Sequence, residues 1–209
     1  MKKLAAMVAG GLLLCGGAGV AMAGSGGSRC EAFEGKVTLT PLATCDTFKT
    51  VMGKERFFED ATFLFDVAPG IPMLCFSGTI VGAKLGGRDV EASSLSALTA
   101  NSFCLLDGSC SAPIHPAQRP LLTAATVVTV SADREPRKDK ELGQIFLRDT
   151  AVTRPGPEID GLPPIATAFA VEQLIGVGGT KKFSNASVSM EIVGPAFGSG
   201  ADVKGTICR

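Results

Sequence analysis

ATAFAVEQLIGVGGTKKFSNASVSMEIVGPAFGSGADVKGTICR, residues Ala166 to Arg209, closes the chain of 209 residues and decides how the rest is read. It holds three runs of strand-like composition divided by glycine-rich breaks. In the first, Thr167, Phe169, Val171, Gln173 and Ile175 fall on one face of an extended chain, and Ala168, Ala170, Glu172 and Leu174 on the other, because side chains alternate along a strand. Gly176, Gly178 and Gly179 supply the backbone freedom of a tight reversal. In the second run Ala186, Val188, Met190 and Ile192 face one way, while Asn185, Ser187, Ser189 and Glu191 face the other. Gly194-Pro195 and Gly198-Ser199-Gly200 make the next break, and Val203 to Cys208 is a short closing strand. Strand, turn, strand, turn, strand, with a dry face and a wet one, is an antiparallel meander.

The segment Ile175-Gly176-Val177-Gly178-Gly179-Thr180-Lys181-Lys182-Phe183-Ser184-Asn185-Ala186 resembles the I-x-G-G-T-G-x-F-x-x-A-x-G hairpin of the allene oxide cyclase and dirigent family. Lys181 stands where that family has the glycine after threonine, and Val188 where it has the glycine after Ala-x. The resemblance implies an eight-stranded antiparallel barrel that holds an apolar ligand and steers it with few polar groups. Dirigent members commonly use acidic and aromatic hydroxyl side chains. This chain has no tyrosine, so a dirigent-like role would lack the phenol, and the family's functional residues have no matching positions here. It also has no tryptophan, which removes the G-x-W signature of a lipocalin.

At the other end, Lys2 and Lys3, the apolar run from Leu4 to Val20 and the Ala21-Met22-Ala23 site compose a secretory signal peptide over residues 1–23. Cleavage there leaves 186 residues, enough for one domain with a sizeable core. Residues 24–29 read as a flexible lead-in and 30–209 as a single all-β domain. Loss of Lys2 and Lys3 leaves 18 basic against 20 acidic side chains, a balance that gives no electrostatic reason to expect nucleic acid. No later stretch is long and apolar enough to form a membrane-spanning helix. Six cysteines follow the leader: Cys30, Cys45, Cys75, Cys104, Cys110 and Cys208. An even number in an exported chain reads as disulfides. The turn sequence between Cys104 and Cys110 favours pairing those two, and the other four allow three connectivities. The lysine-poor, glycine-rich leader is of bacterial type, so the expected location is periplasmic or secreted, with the Asn185 sequon unmodified.

The mature chain continues the β pattern. Glu31 to Leu39 alternates Phe33, Gly35, Val37 and Leu39 against polar positions, and Pro41 ends it. Cys45 to Asp60 reads as a loop with one helical turn. Strands are expected over Ala61 to Val67 and Leu74 to Leu85, with Gly78 and Gly82 marking bends or close backbone approach. Gly86-Gly87-Arg88-Asp89 reads as a hairpin turn, and a further strand is expected late in Val90 to Phe103. Cys110 to Pro120 reads as a loop. Thr123 to Ser131 and Leu142 to Val152 flank a charged run at 133–141, the pattern of a long hairpin with a solvated tip. Arg154 to Pro164 is a proline-rich loop. The total is about nine strands with no convincing amphipathic helix, hence an antiparallel β-barrel, with a β-sandwich as the alternative. The phrases Phe76-Ser77-Gly78-Thr79-Ile80 and Val203-Lys204-Gly205-Thr206-Ile207 are alike and point to comparable strands.

Little in the chain announces chemistry. His115, the single histidine, sits in a loop and cannot build a histidine-rich metal site. Nothing calls for a cofactor. Asp149 and Glu172 are the candidate catalytic residues, since an acid turned into a barrel can act as general base or orient a ligand. Phe146 and Phe169 on the opposite strand faces argue instead that both acids face solvent. The composition therefore points to an exported protein that binds a protein partner or surface without catalysis. A carrier of a small apolar ligand and a cyclase-like isomerase are the alternatives. Twelve phenylalanines can fill a core or line a cavity; a phenylalanine-lined cavity favours the two alternatives, and a buried carboxylate within it favours the isomerase.

Overall fold

The first and last strands meet, and their meeting fixes the architecture. In the computed structural model the described residues are 29–52, 75–101, 121–133, 140–154, 169–195 and 197–209. They form β1 (Cys30–Pro41), α1 (Asp46–Met52), β2 (Cys75–Leu85), β3 (Arg88–Asn101), β4 (Leu121–Ala132), β5 (Glu141–Arg154), β6 (Phe169–Gly179), β7 (Ser187–Gly194) and β8 (Ala201–Cys208). Each strand pairs antiparallel with the next, and β8 pairs back onto β1. The result is a closed eight-stranded barrel. Closure leaves no strand at an open sheet edge, and the sandwich alternative is excluded by the β1–β8 ladder. Cys30 and Cys208 are register partners in that ladder and form a disulfide across the seam.

The meander over β6, β7 and β8 is as expected, with Val188, Met190 and Ile192 buried along β7. The reversal between β6 and β7, however, falls after Gly179, and Gly176, Gly178 and Gly179 lie within β6 with no positive φ. The two similar phrases lie in β2 and β8, which flank β1 on either side. Gly82 has φ +63 and sits in a bulge where β2 spends an extra residue against both neighbours. The Gly86-Gly87 turn and the pairing of β4 with β5 form as read; the charged tip at 134–139 lies outside the described residues. Two further expectations are corrected. The strand expected late in 90–103 begins at its start, because the hairpin turn feeds straight into β3. The single helical turn after Cys45 is a seven-residue helix, α1, held by a Cys45–Cys75 disulfide. Eight of the expected strands lie among the described residues, and all eight form. The expected strand at 61–67, the signal peptide, residues 24–28, the loops at 110–120 and 155–164 with His115, and the Cys104–Cys110 pairing lie outside the described residues. Of the three connectivities open to the other cysteines, the structure contains Cys30–Cys208 with Cys45–Cys75.

The barrel has a filled end and a hollow end. At the end holding both chain termini of the sheet, Phe33, Leu85, Val90, Val130, Ile145, Phe183 and Ile207 pack into one core cluster. Phe183 comes from a 3-10 turn, Lys181–Phe183, between β6 and β7. Gly143, with φ +149, lets that turn in: a Cβ there would lie 2.4 Å from the Thr180 carbonyl and 2.9 Å from the Phe183 ring. Glu31 is buried at the same end and accepts hydrogen bonds from Arg88, at 3.0 Å, and Arg209. A second cluster lies outside the barrel wall. There α1 lays Phe48 against Ala97, Ala125, Val127 and Phe146 on the outer face of β3, β4 and β5.

Candidate functional site

The hollow end is the one where β1, β3, β5 and β7 finish and β2, β4, β6 and β8 begin. Small inward residues leave space there: Ala124 on β4, Ala151 on β5 and Ala170 on β6. Larger apolar side chains, Leu39, Phe76, Leu98, Leu122 and Ile192, form its walls. Phe197, from the β7–β8 connection, meets Phe76 edge to face with ring centroids 5.5 Å apart. The cavity they enclose has a volume of about 320 Å³, at the lower end of the range for small-molecule sites.

Its polar groups sit together on one side. Ser94, Ser96, Thr126 and Glu172 line it. The β4–β5 register sets Ala124 opposite Asp149, so Thr126 is one inward step along, and its hydroxyl donates to Asp149 Oδ2. Ser96 Oγ lies 2.7 Å from the same Thr126 hydroxyl. The β5–β6 register sets Asp149 opposite Leu174 and Ala151 opposite Glu172. The two acids are thus diagonal neighbours on one inward face.

This overturns the expectation that both acids face solvent. Asp149 is 3% exposed, and Glu172 is partly buried on the cavity wall. Phe146 does lie on the face opposite Asp149, but α1 covers it from outside, so β5 is buried on both faces. On β6 the bulkier alternation, Val171 and Ile175, is the exposed one, at 45% and 52%. The barrel interior takes Ala170, Glu172 and Leu174 instead. Thr126 and Ser96 were not among the sequence candidates. The β4–β5 ladder has an irregularity at Val130/Ser131, so counting back from the charged tip does not reveal Thr126 beside Asp149.

Burial raises the Asp149 carboxyl well above the ordinary range. The charge of Glu172 raises it further, while the Thr126 hydrogen bond and the Arg148 guanidinium offset part of the rise. Burial pushes Glu172 up to about 7. The pair titrates together, so its protons belong to both acids. Such an arrangement can hold or release a proton near neutral pH beside an apolar chamber. Among the described residues no group of three or more histidine, cysteine or acidic side chains could hold a metal ion. No helix among them is long and apolar enough to cross a membrane.

No family model matches the chain, and no curated protein or solved structure matches it. What the protein does must be read from the cavity.

Proposed function

We propose that this exported, disulfide-stabilised barrel binds a small, mainly apolar molecule in its hollow end, with Glu172 meeting the molecule's polar group. The carrying observation is the cavity of about 320 Å³ whose one polar side carries Glu172, with buried Asp149 behind Thr126. A filled interior would have favoured the partner-binding role. The small residues at Ala124, Ala151 and Ala170 leave room where larger ones would complete the core. The location is periplasmic or secreted, supported by the two disulfides.

A second reading is a cyclase-like isomerase, in which Glu172 gives and takes the proton of a rearranging substrate. Its pKa of about 7 is suited to that work. The resemblance to the allene oxide cyclase and dirigent hairpin supports it through Lys181. That residue has φ +48, the one non-glycine positive φ among the described residues, at the position where the family has glycine. The outer face keeps a partner role in view as well. Leu121, Val152, Val171 and Val193 are exposed and lie in register across β4 to β7.

Native mass spectrometry of the oxidised protein, set against its denatured mass, tests the binding reading. An adduct lost on denaturation is expected, and Ala124→Phe, which fills the chamber, abolishes it. Absence of any adduct, together with no uptake of an added apolar fluorophore, would sink the reading. Turnover lost in Glu172→Gln while binding persists would mark the enzyme.

A further inference from the structure

The sign of the cavity's polar side narrows the ligand. Among the described residues the ionisable groups there are both acids: Glu172 on the wall and Asp149 behind Thr126. Among the described residues no lysine, arginine or histidine lines the space. Arg148 acts on Asp149 from the neighbouring position of β5, where alternation sends its side chain to the outer face. Thr126 donates to Asp149, and Ser96 stands 2.7 Å from Thr126. Asp149 Oδ1 is buried with no hydrogen-bond partner among the described residues. The described wall therefore presents two carboxyl groups that share protons, with no cation among the described lining residues to offset their ionisation.

A ligand carboxylate or phosphate would hold the pair in its protonated form, and a neutral hydroxyl or carbonyl would leave an ionised acid uncompensated. A protonated nitrogen supplies both the donors and the charge. The geometry points to an amphiphilic amine as the ligand class, its apolar body among Leu39, Phe76, Leu98 and Ile192 and its ammonium against Glu172. This rests on the reading that the cavity binds a small molecule. The volume, about 320 Å³, holds about ten water-sized groups at about 30 Å³ each. That suits an amine with a medium-length alkyl chain or a single ring system. An ammonium beside Glu172 favours its ionised form, so binding at neutral pH expels the proton shared by the pair. Asp149 acts as a positioning residue: its burial against Glu172 keeps that proton on the pair until the cation arrives.

Calorimetric titration of the oxidised full chain with nonylamine, nonanol and nonanoate separates the possibilities. Nonylamine is expected to bind at least about tenfold more tightly than nonanol, the scale of a hydrogen bond to a charged group, with nonanoate weakest. Its heat at pH 7 should differ between phosphate and Tris buffers as roughly half a proton leaves, given a Glu172 pKa of about 7. In Glu172→Gln the preference for amine over alcohol should fall within about threefold. Nonanol matching nonylamine, or nonanoate binding best, would overturn the amine assignment and leave the cavity reading standing. No binding of any of the three would overturn both. Should Glu172→Gln fail to fold, proton release from the unaltered protein decides: none on nonylamine binding refutes the assignment.

Discussion

Replacing Glu172 by glutamine should make the protein more stable at alkaline pH, and the size of the gain follows from the site. In the folded chain the Glu172 pKa is raised from 4.5 to about 7 by burial. Between those values the folded state holds a proton that the unfolded state releases, so stability falls as pH rises. Below 4.5 both states are protonated and there is no penalty; above 7 the penalty is complete. At about 1.36 kcal/mol per unit the ceiling is about 3 kcal/mol. Glu172 is only partly buried, so solvent screening brings the expected figure to about 1–2 kcal/mol. Asp149 is raised in the same direction, which keeps the slope negative across the window. Urea unfolding without reductant, from pH 5 to pH 8.5, reads this directly. The unaltered protein should lose stability across the range, and Glu172→Gln should flatten the curve, equalling it at pH 5 and exceeding it at pH 8.5. A curve for the unaltered protein that is level or climbs with pH would refute the reasoning. So would a Glu172→Gln protein weaker at every pH, because glutamine would then be disrupting packing rather than removing a buried charge. A residue that weakens its own fold at working pH is expected at a binding or catalytic position.

Three further outcomes are expected. The Cys30–Cys208 disulfide closes a sequence separation of 178 and Cys45–Cys75 one of 30. In the loop-entropy treatment the first stabilises by roughly 5 kcal/mol and the second by about 3–4. Paired serine substitutions should rank in that order by urea midpoint, and the reverse order would mean that α1 docking outweighs the seam. Glu31→Gln leaves Arg88 and Arg209 facing a neutral group inside a closed barrel end; it should cost about 2 kcal/mol, less than a fully buried pair because Arg88 reaches solvent, as measured by thermal unfolding at fixed pH. Lys181→Gly relieves a left-handed backbone at φ +48 worth about 1 kcal/mol and loses an exposed ion pair to Glu141. A net gain of about 0.5 kcal/mol is expected in the same assay, and a loss would place the ion pair above the backbone strain.

The strands were legible because their alternation is local. Val188, Met190 and Ile192 can be assigned to the dry face from β7 alone, and they are buried. Which face of a barrel strand is interior is not local when both faces are apolar. Phe146 looks like core and is buried, yet it lies outside the wall under a helix made by Phe48. That helix is too short to show a period, and the disulfide to Cys75 that anchors it is one of several connectivities the sequence allows.

The acids were legible as candidates and illegible as a pair. Asp149 and Glu172 are 23 positions apart, and they become neighbours only once β5 and β6 are set in register, Asp149 against Leu174. The cavity is equally non-local. No single strand encodes it; Ala124, Ala151 and Ala170 read separately as weak strand residues. Closing eight strands gathers these small side chains at one end, while phenylalanine, leucine and isoleucine fill the other. Emptiness in this barrel is a property of the pairing, and the acids matter because the pairing puts them at its edge. A change of register by one residue on β6 would turn Glu172 outward and Val171 inward, which would fill the chamber and remove the buried charge together. Cavity and carboxylate therefore stand or fall on one ladder, β5 against β6.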